Sequence, residues 1–267
     1  MNKNLTHSQH HVSRHIYGVL TIKFLIFMVI LSYFVPCSGA TQGKSSHEAV
    51  VILKDGLLGK PAQFGLQQFL SALDQKGFSY LQKEAAGDKT SSLLLIGTLS
   101  GSERIKSLHR QKRLELNEAK ESLSVKRLDE KEQRILVVTG SDDRGLMYAL
   151  LEMAQQVNFL EPGKDWFSAI KQTSEKPLVP VRSMAVLLHS EDCEKDWYYS
   201  KEYWQEYFAM LAANRWNAFN LVFSHQTPYL SPLYAFHVKV EQHPEVKAKG
   251  LTEEQRIKNL EMLRYIS

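Results

Sequence analysis

Residues 182–189, Arg-Ser-Met-Ala-Val-Leu-Leu-His, form a short and almost continuously apolar run. Such a run is typical of a strand in a parallel sheet that is covered on both faces. An acidic loop, an aromatic helix and a second apolar run at 218–223 follow it, and a further helix begins near Thr252. This order of strand, helix, strand and helix predicts the opening of a (β/α) barrel. We therefore expect residues 182–267 to form the first units of an incomplete (β/α)8 TIM barrel.

The two predicted helices of this region have clear start signals. Ser200 is placed to cap the first helix, and Thr252 with Gln255 forms a capping box at the start of the second. The first helix carries a stripe of large side chains, Tyr203, Trp204, Tyr207, Phe208, Leu211 and Ala212. At helical spacing this stripe predicts a core face rather than a platform for sugar rings.

The chain offers little length for a complete barrel. A barrel takes about 250 residues, and only 86 residues run from Arg182 to Ser267. No glycine or proline marks the end of the last helix. We expect the later strands of the barrel to lie outside this sequence.

The region upstream predicts a separate α+β domain, a mixed sheet with helices, over residues 41–160. Its predicted strands are 49–53, 78–81, 93–96, 122–127 and 134–139, the last two forming a hairpin. Helices are expected from Pro61, over 102–113, and after the capping residue Asp142 or Asp143. Residues 161–181, rich in proline and charge, predict a connection between domains in which Trp166 and Phe167 pack onto one of them.

The first 40 residues have the pattern of an export signal. A basic segment precedes the apolar run at 24–35, and small residues at 38–40 supply a cleavage site. We expect residues 1–40 to be a signal peptide that directs export to the periplasm or the extracellular space. An uncleaved membrane anchor is the alternative, although this run is short for a membrane span.

The charge balance excludes a nucleic-acid partner. The formal net charge of +4 includes three basic residues and no acidic residue from the first 40 positions. The remainder is close to neutral, so the composition predicts no nucleic-acid face.

Two stretches resemble secreted glycoside hydrolases of the alpha-glucuronidase and beta-N-acetylhexosaminidase type. The first is the Gly-x-x-Asp-Arg-Gly turn at 140–145, followed by a helix with Tyr-Ala at 148–149. The second combines a proline before Arg182, the helix start Tyr-Ser-x-Glu-x-Trp at 199–204 and the turn at 213–217. In those families a small non-catalytic domain precedes the catalytic barrel, which is the order predicted here. The chain departs from hexosaminidases at Leu187, where those enzymes carry an aspartate.

The resemblance implies an exported enzyme that removes a terminal sugar, such as a uronic acid or an N-acetylhexosamine, from an oligosaccharide or polysaccharide. It implies that Arg182 binds sugar hydroxyls, with pairing to a carboxylate at the domain junction as the open alternative. Loop residues expected to line the sugar pocket, with ordinary structural roles as their alternative, are His189, Glu191, Asp192, His225 and Gln226. The catalytic pair stays unassigned, because in barrel hydrolases of this type it comes from later strands. No metal and no cofactor is predicted.

Two further functions stay open at the level of sequence. The chain could be a secreted module that binds glycans or a partner without catalysis, or it could be the remnant of a truncated gene. The missing helix end favours the remnant. A binding module is expected to show solvent-facing aromatic residues, whereas most aromatic residues here lie on predicted core stripes.

Overall fold

A computed structural model describes seven stretches of the chain: residues 49–83, 91–130, 133–188, 196–223, 236–246, 248 and 250–267. All of them belong to one compact unit, His47–Ser267.

The strands and helices alternate along most of this unit. The strands are β1 (Val50–Lys54), β2 (Tyr80–Lys83), β3 (Ser92–Thr98), β4 (Leu123–Glu130), β5 (Gln133–Gly140), β6 (Thr173–Glu175), β7 (Ser183–Leu188) and β8 (Ala218–Phe223). The helices are α1 (Lys60–Gln75), α2 (Glu103–Arg110), α3 (Asp143–Asn158), α4 (Trp166–Ala169), α5 (Lys201–Ala213) and α6 (Glu253–Ile266).

In the described residues the first six strands form one sheet, called the main sheet below, in the order β2-β1-β3-β5-β4-β6. The first four strands in this order run parallel to one another, whereas β4 runs antiparallel to both β5 and β6. The predicted mixed sheet with helices is thus confirmed, and so is the hairpin of β4 and β5, in which Leu123 pairs with Gly140.

Hydrophobic clusters lie on both faces of this sheet. The first cluster joins one face to α1, α3 and α4, and its most buried members include Phe69, Leu136, Leu146 and Phe167. Gly65 of α1 makes this packing close, because a Cβ at that position would lie 2.9 Å from the Cα of Met147 in α3. A smaller second cluster lies under α2, around Ile105 and Val137.

Strands β7 and β8 form a separate two-stranded parallel sheet, in which Ser183 pairs with Ala218. The connecting helix α5 covers it with the predicted aromatic stripe, which confirms that stripe as core. Trp204 is fully buried and, with Tyr198 and Met262 of α6, makes up the third cluster. One parallel strand pair joined by a helix is the repeating unit of a barrel, while the barrel itself stays a prediction.

Residues 161–181 contain more structure than a connection requires. They hold α4 and β6, and β6 pairs with β4 at the edge of the main sheet. Trp166 and Phe167 belong to the first cluster, as predicted. Among the residues that the structure describes, no helix combines the length and apolar character that a membrane span needs.

Candidate functional site

Arg182 stands directly before the first residue of β7, at the amino end of the strand. Its guanidinium donates to four acceptors: the carboxylate of Glu121, the carbonyl oxygen of Arg215 at 2.6 Å, the carbonyl oxygen of Val179 at 2.9 Å and the hydroxyl of Tyr148 at 3.5 Å. It also lies over the ring of Tyr148, 5.9 Å from the ring centre. Four directions of contact therefore fix this side chain, and it is only 21% exposed.

Glu121 is the acceptor on the main-sheet side. It precedes β4, and its backbone takes a left-handed conformation with φ 63°. Its carboxylate accepts from Arg144 at 3.1 Å and from the side-chain amide of Asn217 at 3.0 and 3.1 Å, besides accepting from Arg182. The backbone N–H of Glu121 donates to Asp142 at 3.0 Å. Side chains from both sheets thus meet at one nearly buried carboxylate.

The charges at this position keep Glu121 ionised. Burial by itself raises the pKa of the Glu121 carboxyl, but the hydrogen bonds from Arg182, Asn217 and Arg144 outweigh it and hold the pKa below its ordinary value. For Tyr148 the effect is the reverse, since burial and then the nearby Glu121 charge raise the pKa of the phenol. At neutral pH Glu121 is therefore a carboxylate that lies between the guanidinium ions of Arg182 and Arg144.

The turn between α5 and β8 adds further contacts to the junction between the main sheet and the β7–β8 sheet. Asn217 accepts from the backbone N–H of Arg182 at 2.8 Å and donates to the carbonyl oxygen of Pro180 at 2.8 Å. Arg215, with φ 61°, pairs with Glu175 of β6 and lies 3.5 Å from Glu152 of α3. The hydrogen bond from Arg215 lowers the pKa of Glu175.

A cavity of about 650 Å³ adjoins this group. One wall is apolar and includes Leu178, Val179 and Val181, while Arg182, Arg215 and Glu175 line the polar side. Arg182 is paired with Glu121, and Arg215 is paired with Glu175. Lys176 also lines the cavity. The two arginine pairs are suited to joining two parts of the fold.

The structure places one of the six predicted sugar-binding residues. Arg182 is observed in the junction pairing that the sequence left open as the alternative to sugar binding. His189, Glu191, Asp192, His225 and Gln226 lie outside the described residues, so their contribution to a sugar pocket stays a prediction. Among the residues described, no group of three histidine, cysteine or acidic side chains is arranged to hold a metal ion.

The sequence did not predict Glu121 as the partner of Arg182, or Arg144 as a further donor to Glu121. Arg144 is part of the Gly-x-x-Asp-Arg-Gly turn, so its position in that motif was a usable signal. Glu121 lies in an irregular stretch of mixed polar residues before β4, and no pattern distinguishes it from Glu115 or Glu118. Only the fold brings it next to a residue 61 positions away.

Comparison with solved structures finds a likeness in fold to a glycoside hydrolase. The chain is similar to a GH138 enzyme targeting pectin rhamnogalacturonan II, with a TM-score of 0.57 and 20% sequence identity over 82% of this chain and 29% of that chain. A second structure, CpGH84D, gives a TM-score of 0.48 at 12% identity over 81% of this chain and 39% of that chain. The chain thus spans less than a third of the first structure and about two fifths of the second.

No protein-family profile and no curated protein matches the sequence. At these identities the likeness to the GH138 enzyme shows the fold alone.

Proposed function

We propose that this chain is the front part of an exported glycoside hydrolase, one that removes a terminal sugar from an oligosaccharide or polysaccharide. The observation that carries the proposal is the order of the two sheets: a mixed sheet with helices, followed by a parallel strand-helix-strand unit. Likeness to a GH138 enzyme over 82% of the chain supports it. The sequence motifs at 140–149 and 199–217 support the same class independently of that comparison.

In this proposal β7, α5, β8 and α6 open a catalytic (β/α)8 barrel, and the main sheet is its accessory domain. Barrel enzymes place their chemistry on the loops after the carboxyl ends of the strands. In the sequence, His189 directly follows β7 and Ser224 directly follows β8. Glu191, Asp192, His225 and Gln226 would line the sugar pocket from those loops.

The chemistry needs two carboxyl groups on opposite sides of the glycosidic bond. One donates a proton to the leaving oxygen, and the other acts as nucleophile or activates water, at separations of about 5 to 9 Å. Glu191 and Asp192 are neighbours in sequence and do not suit these two roles. We assign the pair to later barrel strands. A uronic acid or an N-acetylhexosamine is the proposed terminal sugar.

The proposal predicts that residues 41–267 alone hydrolyse no glycoside. The purified chain would be assayed with aryl uronides and aryl N-acetylhexosaminides, with a complete glycosidase as the positive control. We expect no release of the aryl group above background, because the acid and the base are both missing. Robust turnover by this chain would contradict the assignment of the catalytic pair.

A second test of the proposal is to sequence the coding DNA immediately downstream of the Ser267 codon. We expect it to continue, in frame or after one frameshift, into further strand-helix units with carboxylates in the loops. A genuine stop followed by unrelated sequence would remove the enzyme proposal and leave a binding module or a remnant.

A further inference from the structure

The main sheet and the β7–β8 sheet have separate hydrophobic cores. Among the described residues, the first and third clusters share no buried member, and Ala212 of α5 packs against the first cluster. The connecting segment adds little apolar contact, since Leu178 is 93% exposed and Val179 is 56% exposed. Apolar packing by itself therefore joins the two sheets only weakly.

The polar contacts across the same junction are dense. Glu121 accepts from Arg182 and Asn217, which belong to the β7–β8 side, and from Arg144, which belongs to α3 of the main-sheet side. Only 9% of the Glu121 side chain is exposed. A charge removed from water to this extent is costly unless it is paired and hydrogen-bonded, so these donors must stay in place.

The backbone around Glu121 is held as firmly as its side chain. A left-handed conformation is strained for a residue with a Cβ, and Glu121 adopts it at φ 63°. The contact with Asp142 fixes the N–H of Glu121, and Gly145 lets α3 approach, because a Cβ there would lie 2.1 Å from the carbonyl oxygen of Ser122. The carboxylate is thereby presented to β7 at a fixed position.

We propose that Glu121, Arg182 and Asn217 form a charge-dependent latch that couples the main sheet to the β7–β8 sheet. The latch engages the guanidinium of Arg182 at the amino end of β7. The other predicted sugar-binding residues follow the carboxyl ends of β7 and β8 in sequence. Arg182 thus acts as a positioning residue that sets the orientation of β7. This inference does not depend on the glycosidase proposal.

The coupling should depend on pH in one direction. The pKa of Glu121 is below its ordinary value, so its contribution is complete above the pKa of an unfolded glutamate and is lost as pH falls through the lower, folded value. The charged and titratable groups that face it are Arg182, Arg144, Asp142 and Tyr148. The pKa values of Arg182 and Tyr148 are both raised, so these two groups keep their protons in that acidic window.

The test is hydrogen exchange of the purified chain, followed peptide by peptide, for Glu121→Gln at neutral pH. This change keeps the shape of the side chain and removes its charge. We expect amides of β7, α5 and β8 to exchange roughly 10 to 100 times faster than in the unmodified chain, which is less than for a fully buried pair because the Arg182 side chain is 21% exposed. Amides of β3 and β5 should change by no more than about twofold.

Glu130→Gln is the matched control. Glu130 pairs with Arg113 at 2.8 Å, but both side chains are more than 40% exposed, and exposed pairs contribute little. This variant should leave exchange at both sheets unchanged. Equal exchange in Glu121→Gln and the unmodified chain would overturn the latch, and so would a uniform increase over all peptides.

A second measurement covers the case in which Glu121→Gln does not fold. Exchange of the unmodified chain is then followed from neutral pH down to the acidic range, after correction for the intrinsic rate. Glu175 is the other junction carboxylate with a lowered pKa, so the acid series is repeated with Glu175→Gln. Protection lost first in β7, α5 and β8 in both chains supports the latch. Protection lost together in both sheets overturns it.

Discussion

Trp204 carries the small core of the β7–β8 side. It is fully buried, and its indole N–H donates to the carbonyl oxygen of Tyr198 at 2.8 Å. The rings of Phe208 and Phe219 lie 5.8 Å from it. We expect Trp204→Ala to lower the free energy of unfolding by about 3–5 kcal/mol, because a large cavity opens and a buried carbonyl loses its donor. Urea unfolding followed by circular dichroism measures this loss.

Met210→Ala on the same helix is the control for the tryptophan substitution. Met210 is 47% exposed, so its removal should cost less than about 1 kcal/mol. A loss for Trp204→Ala no larger than that of the control would show that the third cluster does not hold α5 in place.

Trp204 and Arg182 differ in how far the sequence predicts their surroundings. The helical spacing of Trp204 and its aromatic neighbours predicted a buried face, because periodicity records burial directly. The partner of Arg182 was not predictable, since a pairing between residues 121 and 182 depends on how two sheets are placed in space. The sequence could state that a carboxylate was one alternative, but not which one.

Asp142 serves two elements at the start of α3. One carboxylate oxygen accepts from Gly145 N–H at 2.9 Å and caps the helix, while the other accepts from Glu121 N–H at 3.0 Å. Ser200 caps α5 alone, accepting from Tyr203 N–H at 3.1 Å. We expect Asp142→Ala to cost about 2–3 kcal/mol and Ser200→Ala about 1 kcal/mol, because only the first change also leaves the N–H of Glu121 without its acceptor.

Denaturant unfolding of the two alanine variants, side by side with the unmodified chain, measures the difference between the caps. Equal losses of free energy would mean that the contact from Asp142 to Glu121 adds nothing to the cap.

For the helices, the sequence predicted the residues at which they begin better than the groups that their side chains contact. Pro61 in the first turn of α1, the caps at Ser200 and Thr252, and the capping box of Thr252 with Gln255 are all confirmed. These signals are local, so the sequence contains them completely. The neighbouring Asp143 shows the limit: it was an alternative cap for α3, but it accepts from Gly59 N–H at 2.7 Å and so holds the start of α1 instead.

The short elements α4 and β6 mark a second limit of local signals. Both lie in a stretch that prolines and charges made look like a connection. A three-residue strand is too short for its periodicity to be recognised. β6 forms by pairing with the edge of β4, which is a contact between distant parts of the chain.

The buried apolar side chains are distributed unevenly between the main sheet and the β7–β8 sheet. Within the described residues, the first and second clusters contain most of the buried apolar side chains, whereas the buried members of the third are Tyr198, Trp204 and Met262. A two-stranded sheet with so small a core is marginal in water. The β7–β8 side therefore depends on the junction with the main sheet, and the main sheet has less need of its neighbour.

This asymmetry predicts different behaviour for the two halves produced separately. A fragment of residues 47–176 retains all of β1 to β6 and should unfold cooperatively, since its clusters lose only the contact with Ala212. A fragment of residues 177–267 lacks Glu121, Glu152 and Glu175, which pair with Arg182 and Arg215, and should show no cooperative transition. Thermal unfolding by circular dichroism, with amide NMR dispersion as a second readout, compares them. A cooperative transition in the second fragment would show that β7 and β8 hold their fold without the main sheet, and the stability of this side would then have to come from its own core.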